Sequence, residues 1–128
     1  MVDKKKLVAV YVEDETEMID LMRFYLDPQK FDLIGAVGGQ IGLETIRRVK
    51  PDLVLLDLMM PDMDGWEVYR RVRADETLND TRVIVVTARA SPIDIAVGNL
   101  AKVDDYITKP FGREQFLNRV YQVLQREG

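Results

Sequence analysis

Short runs of β-branched and aliphatic residues alternate along this chain with stretches whose apolar positions fall at helical spacing. The first run, Leu7-Val8-Ala9-Val10-Tyr11-Val12, is uncharged on both faces, the pattern of a strand buried on both sides. Met18, Leu21, Met22, Tyr25 and Leu26 then recur at helical spacing. Asp14 followed by Glu17 resembles a capping arrangement at the start of that helix, and Asp27-Pro28 stops it. Phe31 to Val37 reads as a second strand, Gly38-Gly39 as a turn, and Ile41 to Val49 as a helix ended by Lys50-Pro51. Leu53-Val54-Leu55-Leu56 is a buried strand that runs into Asp57. A loop through Pro61 and Gly65 leads to a helix from Trp66 to Arg73, and Val83 to Val86 forms the fourth strand, ending at Thr87. Ser91-Pro92 is an N-cap with proline at the first helical position, and the helix it opens runs to about Ala101. Asp105 to Thr108 is a short fifth strand before Lys109-Pro110, and Gly112 to Gln125 is the last helix.

Five strand–helix units with no linker or repeat predict an α/β fold in one domain, residues 1–128, with a parallel sheet covered by helices on both faces. The strands are nearly free of charge, and the polar groups come at their carboxyl ends: Glu13 and Asp14, Asp57, Thr87 and Lys109. In a parallel sheet those ends share one edge, where ligands bind.

Composition narrows the chemistry. The chain has no cysteine, which excludes disulfides, thiolate zinc sites and thiol catalysis. It has no histidine, which excludes Ser-His-Asp triads and phosphohistidine on this chain. A formal net charge of −4 gives no basic face, so direct nucleic-acid binding is not expected, and Lys4-Lys5-Lys6 reads as a solvated tail. No apolar run is long enough to span a membrane, and the chain reads as cytoplasmic.

What remains is carboxylate, hydroxyl and ammonium chemistry. Three carboxylates at one edge repel each other, and a hard divalent cation such as Mg²⁺ removes the conflict. A hydroxyl, an ammonium and a metal around one carboxylate form a site for an incoming phosphoryl group, with the carboxylate as nucleophile. Each residue alone has an ordinary reading. Asp after a strand is commonly a helix cap, Lys-Pro is a loop, and Met59-Met60 is packing. The signal is their joint placement.

The sequence resembles the receiver domain of two-component response regulators. Val12-Glu13-Asp14-Glu15, the segment Leu55 to Gly65 around Asp57, Val86-Thr87-Ala88 and Asp105 to Phe111 carry the likeness, which spans essentially the whole chain. The resemblance implies a flavodoxin-like, doubly wound sheet of five strands in the order 2-1-3-4-5. It implies Asp57 as phosphoacceptor, Asp14 as a direct Mg²⁺ ligand and Glu13 acting mostly through a coordinated water. The Met59 backbone carbonyl would complete the metal site. Lys109 and the Thr87 hydroxyl would bind phosphoryl oxygens, Tyr106 would be the switch aromatic, and Ala88 would leave the pocket open. Implied partners are a sensor histidine kinase or phosphotransfer protein and a downstream protein or output domain, with a homodimer on phosphorylation also compatible. Such a domain promotes its own phosphorylation and dephosphorylation and is not an enzyme that turns over substrate.

Departures from the family pattern shape further expectations. Glu13 replaces the more frequent aspartate, and Lys102 stands near where glycine is common, which would strain the helix exit. Met59 offers no polar group to orient water and Arg89 would screen or bind the phosphoryl group, so slow hydrolysis is expected. Ile93, Ile95, Val97, Gly98 and Asn99 are mediocre or poor helix formers, which suits a helix that re-docks on activation. Ile95 and Phe116 are expected to be partly exposed on a partner surface formed by the fourth helix, fifth strand and fifth helix. The alternatives are weaker. A non-phosphorylated interaction module would usually lack one of the site residues. A haloacid-dehalogenase-type phosphatase wants aspartate where Met59 stands, and a nucleotide binder wants a glycine- or hydroxyl-rich loop where Glu13-Asp14-Glu15 stands.

Overall fold

Five parallel strands lie in the order β2-β1-β3-β4-β5, with helices on both faces. In the computed structural model, which describes residues 6–125, the strands are β1 (Leu7–Glu13), β2 (Phe31–Val37), β3 (Leu53–Leu56), β4 (Arg82–Thr87) and β5 (Asp105–Thr108). The helices are α1 (Thr16–Tyr25), α2 (Gly39–Val49), α3 (Gly65–Ala74), α4 (Pro92–Ala101) and α5 (Arg113–Gln125), with a 3₁₀ turn over Glu76–Leu78 that the sequence pattern did not signal. Lys4 and Lys5 of the basic run lie outside the described residues, while Lys6 is exposed.

Strand alternation divides the core in two. Ala9, Tyr11, Leu53, Leu55, Ile84 and Val86 face α1 and α5, against Ile19, Met22, Phe116 and Val120. Val10, Val12, Val54, Leu56 and Val83 face the other way, against Leu43 and Ile46 of α2 and Val68, Tyr69 and Val72 of α3. Burial of both sheet faces explains why the strands read as unbroken apolar runs.

Three expectations are corrected. The capping arrangement of Asp14 and Glu17 does not form. Glu15 is the N-cap of α1 and makes no side-chain cap bond, while its amide donates to Glu13 Oε1 at 3.3 Å. Phe116 is fully buried, because it lies with Val120 and Val123 on the α5 face turned to the sheet, its ring 5.2 Å from that of Phe111. Ile95 is half-buried, in keeping with its expected partial exposure, and the exposed large apolar positions of α4 are Ile93, Val97 and Leu100. α2 also starts two residues earlier than expected. Asp62, distant in sequence, accepts the Gly39 and Gln40 amides at 3.0 Å each and so caps the helix from outside.

Candidate functional site at the sheet edge

Asp57 is fixed by backbone on both sides. Its amide donates to the Val12 carbonyl at 3.1 Å, extending the β1–β3 ladder by one residue. The loop beyond it folds back tightly, with the Gly65 amide on the Leu58 carbonyl at 3.1 Å. A β-carbon at Gly65 would lie 2.4 Å from the Asp57 carbonyl oxygen, so only glycine allows this approach. Asp64 then caps α3 by accepting the Trp66 amide at 2.8 Å.

The Asp57 carboxylate is buried. Its Oδ1 accepts the Met59 amide at 3.0 Å and its Oδ2 accepts from Lys109 Nζ at 2.9 Å. Lys109 arrives by way of β5, its amide bonded to the Thr87 carbonyl at 2.9 Å. The same ammonium donates to Glu13 Oε2 at 2.8 Å. Glu13, at the end of β1, is completely buried and also accepts from the Tyr11 hydroxyl at 2.9 Å. Asp14 is half-buried beside it, and one oxygen from each of Glu13, Asp14 and Asp57 falls within 4.8 Å of the others.

The electrostatics follow from this crowding. Burial pushes Glu13 up to about 7 despite its bond to Lys109. Burial also acts to raise Asp57, but the Met59 amide and Lys109 outweigh it and hold this carboxyl below the usual aspartate range. Lys109 is penalised by burial, yet its two carboxylate partners raise its pKa above the ordinary lysine value. Burial and the neighbouring Glu13 raise the Tyr11 phenol, so it stays protonated and remains a donor.

The remaining expected residues lie on the same edge. Thr87 is fully buried, and its Oγ1 accepts the Arg89 amide at 3.3 Å. Ala88 is exposed. Tyr106 is half-buried on β5, with its hydroxyl donated to the Arg89 carbonyl. Met59 is exposed and lies in the loop beside Asp57. Arg89 does not stand free for an incoming group, because its guanidinium reaches Asp94 at 3.0 Å and Asp64 at 3.6 Å. Three participants escape the sequence pattern. Tyr11 was read only as part of an apolar strand, although a hydroxyl two residues before Glu13 shares its strand face. Asp62 and Asp64 were read as loop, and their capping roles depend on contacts that the local pattern carries only for Asp64.

Comparison with known proteins adds a sequence and a structural likeness. The family described as the response regulator receiver domain matches residues 9–121. The transcriptional regulatory protein CseB of Streptomyces coelicolor is 37% identical over 120 residues, covering 94% of this chain and 50% of CseB. The sensory transduction protein RegX3 of Mycobacterium tuberculosis is 39% identical over 120 residues, covering 94% of this chain and 52% of RegX3. The chain therefore spans about half the length of these curated relatives. The crystal structure of the BeF3-activated N-terminal receiver domain of Klebsiella pneumoniae RstA superposes with a TM-score of 0.84 at 30% identity, covering 93% of this chain and 99% of that one.

Proposed function

The chain belongs to the response regulator receiver domain family of two-component systems, and from that premise we propose that Asp57 accepts a phosphoryl group from a phosphohistidine on a sensor kinase or phosphotransfer protein. Residues 1–128 act as one receiver unit in this reading. The observation that carries it is the buried Asp57 carboxylate held ionised by the Met59 amide at 3.0 Å and Lys109 at 2.9 Å, beside two further acidic side chains.

The donor set fits Mg²⁺. When all are ionised, three carboxylates facing one ammonium carry a net charge of −2, and all-oxygen ligands suit this ion. Asp14, Asp57 and the Met59 carbonyl would hold it directly, with Glu13 acting mostly through water. When bound, the ion neutralises charge that develops on the transferring phosphoryl oxygens.

The chain's own residues do the rest. The Met59 amide orients the Asp57 carboxylate so that the other oxygen, now on Lys109, turns to the incoming phosphorus. That oxygen forms the new P–O bond as the P–N bond to the donor imidazole breaks, and the departing ring takes its proton from water. Lys109 shifts from Asp57 to a phosphoryl oxygen. Thr87 rotates its buried hydroxyl toward another oxygen, which disturbs the Arg89 amide bonded to it. Tyr106, tethered to the Arg89 carbonyl, moves inward in turn. The exposed α4 positions Ile93, Val97 and Leu100, with β5 and α5, then present an altered surface to a downstream protein, an output domain or a second copy. The reading requires no membrane contact, and among the described residues no helix is long and apolar enough to cross one. It also assigns no nucleic-acid binding to this chain and a cytoplasmic site of action.

The test is intact mass after incubation with Mg²⁺ and acetyl phosphate. One phosphoryl adduct that disappears in Asp57→Asn and in metal-free protein supports the reading. No adduct on folded protein that binds Mg²⁺ overturns it in favour of an interaction module without phosphotransfer.

A further inference from the structure

Glu13 has one more methylene than the aspartate common at its position, and that extra reach places its carboxylate where three donors meet. Lys109 Nζ and the Tyr11 hydroxyl share Oε2 at 2.8 and 2.9 Å, and the Glu15 amide reaches Oε1 at 3.3 Å. Tyr11 is completely buried, and its ring is part of the core under α1 and α5. A buried phenol needs an acceptor, and Glu13 on the same strand face supplies it. Phenylalanine would fill the same volume and lose only this bond, so the hydroxyl has a role beyond packing.

We propose that Tyr11 is a positioning residue that holds the Glu13 carboxylate in place at the cation site. The inference rests on the Mg²⁺ reading given above. Lys109 cannot serve Glu13 and an incoming phosphoryl group at once. When it leaves, Glu13 without the Tyr11 hydroxyl would be a fully buried carboxylate with only a long amide contact, free to rotate away from the cation's water. The Tyr11 phenol is a donor that no step of the transfer draws away. It is rigid, because the core clamps its ring. Glutamate and tyrosine therefore act as a pair: the longer arm needs the hydroxyl, and the hydroxyl is unpaired without the longer arm.

The experiment is a double-mutant cycle on the full chain with Tyr11→Phe and Glu13→Asp. Calorimetric titration with Mg²⁺ alone is the main readout. Acetyl phosphate labelling at several Mg²⁺ concentrations separates loss of affinity from loss of maximal rate, and thermal unfolding in EDTA reports the fold. Tyr11→Phe is expected to weaken Mg²⁺ binding several-fold in the Glu13 background. In the Glu13→Asp background, where the carboxylate no longer reaches the hydroxyl, it is expected to change binding less than twofold. The maximal labelling rate at saturating Mg²⁺ should be largely kept. An equal loss in both backgrounds would assign Tyr11 a purely structural role and overturn the inference. Unchanged Mg²⁺ binding in Tyr11→Phe would overturn it as well. Wild-type protein that takes up no Mg²⁺ would overturn the reading of the site itself, and with it the need for this residue.

Discussion

Lys109 and Asp57, 52 residues apart in sequence, meet at 2.9 Å on a sheet edge where both side chains are largely shielded from water. Their elements place them there: β3 ends at Asp57, and the β4–β5 pairing carries Lys109 to the same edge. Removing the ammonium leaves two buried carboxylates facing each other. Lys109→Ala is therefore expected to destabilise the metal-free protein by roughly 2–4 kcal/mol, between the worth of a charge-assisted hydrogen bond and that of a broken buried pair. Added Mg²⁺ should recover part of that loss, and labelling by acetyl phosphate should fall steeply. Urea unfolding with and without Mg²⁺ checks the first pair of outcomes. A variant as stable as wild type in EDTA would contradict the account of the edge.

The pH dependence of stability has a sign set by Glu13. Its carboxyl is raised to about 7 by burial, so the folded protein holds a proton that the unfolded chain releases above about 4.3. Between those values the native state binds more protons, and this group's stabilisation is lost as pH rises. Asp57 has the opposite sign. Its contribution is present above the unfolded value of about 3.9 and is lost as pH falls through its lower folded value. Lys109, raised by its partners, stabilises below about 10.4 and loses that contribution at higher pH. Metal-free wild type is thus expected to lose about 2 kcal/mol more than Glu13→Gln between pH 5 and 8. Mg²⁺ should flatten the difference, because it favours the ionised form. Parallel unfolding curves for the two proteins across that range would count against it.

The central strands were legible because they are buried on both faces, so Leu53 to Leu56 or Val83 to Val86 has no other sensible reading. The site was legible for a related reason. Against such apolar runs, Glu13, Asp57, Thr87 and Lys109 stand out at strand ends, and a parallel sheet brings those ends together. Lys102 was flagged at a helix exit and does adopt a left-handed backbone. The failures share a cause as well. α2 starts at Gly39 because Asp62 caps it from another loop, and no local pattern carries that contact. The expected partial exposure of Phe116 fails because helical spacing alone does not say which apolar stripe of α5 meets the sheet. The Tyr11 hydroxyl was hidden by the hydrophobicity of its ring.

Arg89 joins four elements. Its side chain pairs with Asp64 at the cap of α3 and Asp94 in the capping box of α4, and its backbone binds Thr87 and Tyr106. With its guanidinium so engaged and the Met59 side chain carrying no polar group, these two side chains offer little to orient a water for attack on an aspartyl phosphate. Met59→Asn is expected to shorten the phosphoryl half-life several-fold, and Arg89→Glu to change it further by repelling Asp64 and Asp94. Loss of label after removal of acetyl phosphate measures both. Half-lives equal to wild type would separate these residues from hydrolysis.

Two lysines sit in the left-handed region, Lys50 at φ 51° closing α2 and Lys102 at φ 60° closing α4. A side chain there costs roughly 1–2 kcal/mol, which glycine avoids, although glycine gives back part of the gain through greater freedom in the unfolded chain. Lys102→Gly is therefore expected to stabilise the protein by up to about 1 kcal/mol. Ala101→Gly, one residue earlier and helical, should instead cost about 1 kcal/mol. The comparison also reaches function, because α4 carries the exposed Ile93, Val97 and Leu100 and its exit is strained at Lys102. If that strain keeps α4 ready to re-dock, Lys102→Gly should slow amide exchange across residues 93–102. It should also reduce the change in exchange expected on phosphorylation under the proposed function. A stabilised variant whose exchange still responds fully to phosphorylation would show that the strain at Lys102 and the motion of α4 are independent.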